Sequence, residues 1–525
     1  MELRLHIENS RLFPGMATAE GRKKRIVLKH FKDGYLTVYF SLIMAIFLSL
    51  LLALIEGARY STVQFEAACA ADIGLNSTFA EYHRELLDQY NLFAIDSSYL
   101  TEYAGKANTE RHLREYIDRN LSQNDIFLAN FFYRDFLGMK AERVEITGVT
   151  ALSDEKGKVF RQCAVNAIKD DVGITLLDEL KDWLKEVELK ELDSKDLEAE
   201  KKEIDEEIEK KIREIREYDR KEQEKNRKEG KIEDFDEYED YESPTAFLDR
   251  VRREGILKLI IPDRTNLSEK KLNGDVLIEK RIQQDRISVG NMNISENTSL
   301  QDMEERFFFQ EYLLKYMGHF GSEKEKGALS YQLEYLVGGE EHDVENLRIT
   351  ANRICLIREA ANVLYLHSNE KLSSQADVLA SVIAFLTGTP EVKDMIKESI
   401  ILGWAYAESI YDAKVLFKGG KIPLLKDDAS WHYSLSNALS LWSSDEKSDA
   451  GMSYEDYLRV ILMLENSEKL TLRAMDMVEA DIRKTKGNEF FRLDACYSAL
   501  RTEISIGSYF GYSFQMTREK RYESD

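Results

Sequence analysis

Twenty-two residues from Gly34 to Ile55, GYLTVYFSLIMAIFLSLLLALI, carry no formal charge and are bracketed by Asp33 and Glu56. As a helix rising about 1.5 Å per residue the run is about 33 Å long, which matches a bilayer hydrocarbon core of about 30 Å. Leu, Ile, Phe and Met fall on every face of it instead of along one stripe, so the pattern predicts a membrane-spanning helix and not the core helix of a globular domain. A cleaved secretory signal is the competing reading, but its apolar core runs to only about 7–15 residues, and Leu54, Ile55, Glu56, Gly57 and Ala58 make a poor cleavage site. A retained signal anchor is expected.

Beyond the run the pattern becomes amphipathic. Ala67, Ala70, Leu75, Phe79, Tyr82, Leu86 and Tyr90 recur mostly three or four residues apart, which predicts that the helix continues as a stalk. Carried straight from Tyr35 to about Leu92 it would be about 87 Å long, with Gly57 and Gly74 as the weak points where it would bend. Helical periodicity returns in blocks at Met303–Met317, Asn346–Leu366, Ala376–Leu386, Val392–Leu416 and Tyr454–Ile482. Trp404, Trp431 and Trp442 are expected in or around that core. Val144–Thr150, Phe490–Leu500 and Glu503–Phe510 are the strand candidates, and a modest sheet joining early and late chain would close the folded body.

Between these blocks lies a charged segment. From Glu198 to Glu229, 24 of 32 residues are charged, and Ile204, Ile208, Ile212 and Ile215 make a narrow seam at spacings of four, four and three. A solvated helix held by acid-base pairs is the favoured reading; a coiled-coil partner along 198–229 is the alternative. Ile232–Glu242 holds seven acids in eleven residues but lacks the alternating ligands and turn glycine of a calcium loop, so it reads as linker. The expected plan is a basic leader over 1–33, a transmembrane helix over 34–56, stalk and small α/β region over 57–175, charged arm and acidic linker over 176–243, linker over 244–300, and a helical domain with a β element over 301–525. The fold class is mainly α.

Composition changes this picture in three places. Only five prolines occur in 525 residues, and none lies between Pro14 and Pro244, which favours long uninterrupted helices. Residues 1–33 carry eight bases and four acids while the whole chain is at -23, so +4 lies before the span and -27 after it. The positive side stays in the cytoplasm, which leaves the acidic body extracellular. That acidity excludes a phosphate-tracking nucleic-acid binder, and the span itself holds no Asp, Glu, Lys, Arg or His that would carry protons or ions.

Catalytic patterning is weak. Cys69, Cys163, Cys355 and Cys496 are too far apart for a zinc knuckle or a CxxC pair; disulfides and free buried thiols both remain open. His342 sits among Glu340, Glu341 and Asp343, a grouping that more often makes an exposed turn than a metal site. Gly419, Gly420 and Lys421 lack the upstream glycine and following Ser or Thr of a phosphate loop. No enzyme activity, metal or cofactor is expected.

Six segments carry a family resemblance. Lys29–Phe40, KHFKDGYLTVYF, is a basic leader, a glycine and the start of an apolar run; Glu56–Arg59 reads EGAR; and Ala80–Asp96 reads AEYHRELLDQYNLFAID. With YQLEYLVGG at Tyr331–Gly339, REAANVLYL at Arg358–Leu366 and AYAESIYDAKVLFKGGKIPLLK at Ala405–Lys426, the chain resembles TadE and TadG type pseudopilin-like proteins of tight-adherence (Flp) pilus loci, in particular a large single-span group in Gram-positive anaerobes. The resemblance implies prepilin-peptidase processing between Gly34 and Tyr35, although Tyr39 stands where that family normally has a glutamate. It also implies a structural, non-enzymatic role beside other pilin-like or assembly-platform membrane proteins. Ser41, Ala45, Ser49, Ala53 and Gly57 recur every four residues and form a small-residue ridge suited either to a neighbouring helix or to lipid. Two other functions remain open: a tethered ectodomain that binds an envelope polymer or another cell, and an anchored extracytoplasmic hydrolase.

Overall fold

The computed structural model describes residues 34–121, 137–169, 255–261, 267–274, 277–278, 302–438 and 450–522, together with parts of 203–225. Trp442, the acidic run 232–242 and the leader 1–33 lie outside the described residues. The chain divides into two units, Met1–Phe65 and Glu66–Asp525. In the first, helix α1 (Gly34–Phe79) begins, and every side chain from Tyr35 to Ile55 is exposed. A helix this apolar with no protein around it is the feature the hydropathy pattern anticipates.

In the second unit the helix does not run on to Leu92. It stops at Phe79, and a separate short helix α2 (Arg84–Tyr90) follows. Apolar spacing continues across the break, but His83 Nδ1 accepts the Leu86 N–H at 3.2 Å and so caps α2. Asn91 then closes α2 in the left-handed region at φ 52°. Gly57 and Gly74 both lie within the unbroken α1. At Gly74 a Cβ would stand 2.6 Å from Ile117 Cγ1 of helix α3 (Lys106–Leu121); the glycine serves the close crossing of two helices.

Four antiparallel strands form one sheet: β1 (Ile95–Asp96), β2 (Lys140–Ala151), β3 (Cys496–Gly507) and β4 (Ser513–Arg521). β3 is central. β2 pairs along one edge, with Val144 opposite Ile504 and Val149 opposite Leu500, and β1 and β4 share the other. The early and late strand candidates therefore meet in one sheet. Phe490–Ala495 is not strand, because a 3-10 turn at Leu493–Ala495 occupies it and Glu479 accepts the Leu493 N–H at 2.9 Å. The outer edge of β2 is closed by α3, whose Glu110 and Asp118 accept the N–H groups of Ile146 and Ala141.

Helix α4 (Asp154–Ile168) follows β2. The remaining body is helical: α5 (Asp302–Tyr316), α6 (Gln332–Gly338), α7 (Asp343–Ser368), α8 (Glu370–Leu386), α9 (Lys393–Phe417), α10 (Tyr454–Leu464) and α11 (Ser467–Arg483). The block expected as one helix over Tyr454–Ile482 is two, since Asn466 Oδ1 accepts the Lys469 N–H and starts α11 afresh. In α8 the buried positions are Ala376, Ala380 and Ala384, a face of small residues that lets α9 approach closely. Every residue of α11 from Leu470 to Ile482 is buried, Arg473, Asp476, Glu479 and Asp481 included. The described residues of the charged arm are helical, and its seam is turned inward: Ile208 and Ile212 are buried, and Lys211 Nζ reaches Met395 Sδ on α9 at 3.8 Å.

Candidate functional site

Helices α7 and α9 bring four fully buried charges together. α7 supplies Arg358 and Asn362, α9 supplies Glu408 and Asp412, and the loop after α9 returns Lys426 between the two acids. Glu408 and Asp412 stand one helical turn apart on one face, as the i, i+4 relation requires. Arg358 Nε donates to Asp412 Oδ2 at 2.9 Å, and its two terminal nitrogens donate to the carbonyls of Pro423 and Leu424, to Tyr457 Oη and to Asn362 Oδ1. Lys426 Nζ lies 2.7 Å from Asp412 Oδ1 and also contacts Glu408 Oε1.

Glu408 is further held by backbone: Oε1 accepts the His432 N–H and Oε2 the Tyr433 N–H, each at 2.8 Å. Aromatic rings wall the cluster. Lys426 Nζ stands 5.9 Å from the centroid of Tyr411 and 5.5 Å from that of Trp431, His432 stacks on Tyr411 at 3.8 Å, and the Trp404 and Trp431 indoles both donate to the Tyr433 carbonyl. Burial would raise the Asp412 carboxyl, but Lys426 and Arg358 together hold it below the usual carboxylate range. Two positive and two negative groups balance here. Such a set is tolerated in a dry interior only because each charge has an oppositely charged partner.

A second buried network joins α11 to the segments before it. Asp481 accepts from Tyr90 Oη at 2.5 Å, Gln332 Nε2 at 2.8 Å and the Ala328 N–H at 2.6 Å, with Lys324 Nζ at 3.1 Å. Glu334 on α6 accepts from Tyr454 Oη at 2.6 Å and the Phe320 N–H at 2.8 Å. Burial raises the Glu334 carboxyl despite these bonds. Arg473 donates to the carbonyls of Leu336, Val337 and Gly338, satisfying groups that the end of α6 leaves open and placing a cation at the negative end of the helix.

The residues singled out in the sequence fall elsewhere. Gly34, Tyr35 and Tyr39 lie in the first two turns of α1, exposed from Tyr35 onward. Ser41, Ala45, Ser49, Ala53 and Gly57 form an exposed ridge on the same helix. The Ser41 and Ser49 hydroxyls donate to the carbonyls of Val38 and Ile46, each at 2.8 Å, so the ridge presents no unmet donor. In the GEEHD run Asp343 points inward and accepts the Ser330 and Tyr331 N–H groups, while Glu341 pairs with Lys271 at 3.3 Å. Gly419 and Gly420 end α9, the Gly420 N–H bonding the Val415 carbonyl at 2.9 Å. All four cysteines are free thiols.

Arg358, Glu408, Asp412, Lys426 and Asp481 lie within segments notable for their apolar periodicity, and no local motif marks them as a site. A usable signal was present: ionisable residues at core-facing positions of apolar helices, as in AYAESIYDAKVLF, are rarely buried without partners.

By fold the chain is a mainly α protein with one long apolar N-terminal helix and a small antiparallel sheet, and by site it is one whose buried charges brace its own helices. Residues 235–508, just over half of the chain, match DUF5702, a family of unknown function, and the chain belongs to that family. No curated protein and no solved structure matches it. The matched span includes α5 to α11 and β3 but not β1, β2 or β4, on which β3 depends.

Proposed function

We propose that the chain is a non-enzymatic, membrane-anchored structural component of a cell-envelope assembly, and, in the narrower form that the sequence resemblance supports, of a Tad-like pilus machine. One observation carries the reading: α1 is apolar and exposed on every face from Tyr35 to Ile55. Crossing a bilayer gives that surface an environment in which exposure costs nothing. The basic residues before the span keep the N-terminus in the cytoplasm and leave the acidic body outside. The ridge from Ser41 to Gly57 then lets another membrane helix approach, with its serine hydroxyls already bonded within α1. The two buried networks fit a passive, load-bearing body.

Exchange of residues 34–56 for an unrelated transmembrane helix of equal length tests this. Loss of assembly with normal membrane insertion is expected. Retained assembly would instead make α1 a tether for an ectodomain that binds an envelope polymer or another cell. N-terminal sequencing of the membrane-extracted protein tests the narrower form, in which the mature chain begins at Tyr35.

A further inference from the structure

The Lys426 amine is enclosed between two carboxylates and shielded from water, in a chain whose four cysteines form no disulfide. We propose that Lys426 and Glu408 condense to an intramolecular amide, a covalent bridge that locks the 418–433 loop onto α9, with Asp412 as the proton-transferring group. Glu408 is the acceptor because both its oxygens already receive backbone N–H groups, from His432 and Tyr433 at 2.8 Å. Donors in those positions hold the charge that develops on a carboxyl oxygen when its carbon is attacked. Asp412 is the poorer electrophile, since Arg358 and Lys426 keep it anionic, and it is the carboxylate placed to relay a proton, with Oδ1 at 2.7 Å from Nζ.

The step balances without a co-reactant. The Lys426 ammonium first gives one proton to Glu408 Oε1, leaving a neutral amine beside a carboxylic acid. The nitrogen lone pair then attacks Glu408 Cδ, and the carbonyl electron pair moves to Oε2, where the Tyr433 N–H holds it. Asp412 Oδ1 takes a proton from the nitrogen and returns it to Oε1. The Cδ–Oε1 bond breaks with its electron pair on oxygen, one water leaves, and the amide keeps one N–H. Asp412 begins and ends ionised. Arg358 and Asn362 are positioning residues: Arg358 grips the Pro423 and Leu424 carbonyls, which carry Lys426 into place, and Asn362 Nδ2 supports Asp412 Oδ2. Holding amine and carboxyl in contact replaces the encounter that makes the same reaction slow in solution. The product also removes two of the four buried charges.

Peptide mapping by mass spectrometry of the full-length, denatured protein tests this. The expected result is a cross-linked species in which the peptide holding Glu408 is joined to the peptide holding Lys426 and is lighter than their sum by one water. Lys426→Arg, which keeps the charge but removes the primary amine, is expected to return the two peptides to separate, full mass. Asp412→Asn is expected to leave a linear fraction in freshly made protein. Recovery of both wild-type peptides unlinked and at full mass would overturn the proposal, as would a bridge from Lys426 to Asp412. The wild-type measurement decides the matter even if neither variant folds.

Discussion

Tyr90 Oη donates a hydrogen bond of 2.5 Å to Asp481 Oδ2, joining positions 391 residues apart in a site closed to water. The Tyr90 carbonyl in turn accepts from Tyr312 Oη at 2.7 Å, so a single residue of α2 links α5 and α11. Tyr90→Phe keeps the ring and removes only the hydroxyl. It should destabilise the fold by about 1–3 kcal/mol, the cost of leaving a buried polar partner short of a bond. Tyr103→Phe, at a position 78% exposed, should stay within about 0.5 kcal/mol of wild type. Chemical denaturation of the detergent-solubilised chain measures both.

Arg358 and Asp412 make a pair whose loss is asymmetric. Arg358→Ala should cost about 3–5 kcal/mol because it removes one of the two cations that hold the buried Asp412 carboxylate and leaves the Pro423 and Leu424 carbonyls without their donor, whereas the double replacement Arg358→Met with Asp412→Leu should cost less than either single change. Arg358→Lys should also destabilise, since one ammonium cannot reach Asp412, Asn362, Tyr457 and two loop carbonyls at once. A double-mutant cycle read by thermal unfolding separates these outcomes.

Gly339 ends α6 at φ 77°, and a Cβ there would run into the Arg473 guanidinium. Gly419 has nearly the same backbone, φ 80°, with open space around it. Gly419→Ala should therefore cost only the left-handed backbone penalty of about 1–2 kcal/mol, and Gly339→Ala should exceed it because Arg473 must also leave the α6 carbonyls. Equal losses in paired denaturation curves would remove the steric part of this account.

Periodicity located most of this architecture. The blocks at Met303–Met317, Asn346–Leu366 and Val392–Leu416 correspond to α5, α7 and α9, because each is long, apolar on its inner face and bounded by Gly, Pro or Asn. The strand at Val144–Thr150 was legible because the stretch is rich in β-branched residues and sits between turn-like flanks. The breaks were not. Apolar spacing runs from Phe79 through Tyr82 to Leu86 without interruption, and the polar run 465–469 is short enough to pass for one turn of a single helix; in each case the next helix starts afresh from a capping side chain, His83 in one and Asn466 in the other. A histidine or an asparagine in a polar stretch looks the same whether it caps or not. The buried charges were hidden for a related reason: Arg358, Glu408 and Lys426 find partners 54 residues away or 18 residues along a loop, and no local pattern encodes such meetings.

His83 makes the fold sensitive to acid. Its Nδ1 accepts the Leu86 N–H and its Nε2–H donates to Asn488 Oδ1 at 3.0 Å, so the neutral ring is the form that fits. Burial lowers its pKa despite the opposing pull of Asp96. The unfolded chain, titrating near about 6.5, then binds a proton more readily than the folded one. The stability this group contributes is present above that value and is lost as pH falls through the folded pKa. Unfolding free energy should decline below about pH 6.5, and His83→Asn, which keeps a capping acceptor without the titration, should flatten the decline. An unchanged slope in the variant would assign the acid sensitivity to other groups.

The family-matched span, residues 235–508, should not fold by itself. Its strand β3 would lose β2 from one edge and β1 and β4 from the other, leaving a 12-residue central strand with open hydrogen-bonding groups on both sides. Asp481 would lose Tyr90 as well. The apolar residues of α11 and α5 that α4 covers, among them Phe309 against Phe160 at 6.3 Å, would face water. The isolated fragment should therefore be aggregated, or compact with weak near-ultraviolet circular dichroism and strong binding of a hydrophobic dye. A chain from Glu66 to the C-terminus, which restores all four strands, should unfold in a sharp transition. A cooperative transition in the 235–508 fragment alone would mean that the sheet is an addition to an already complete helical core.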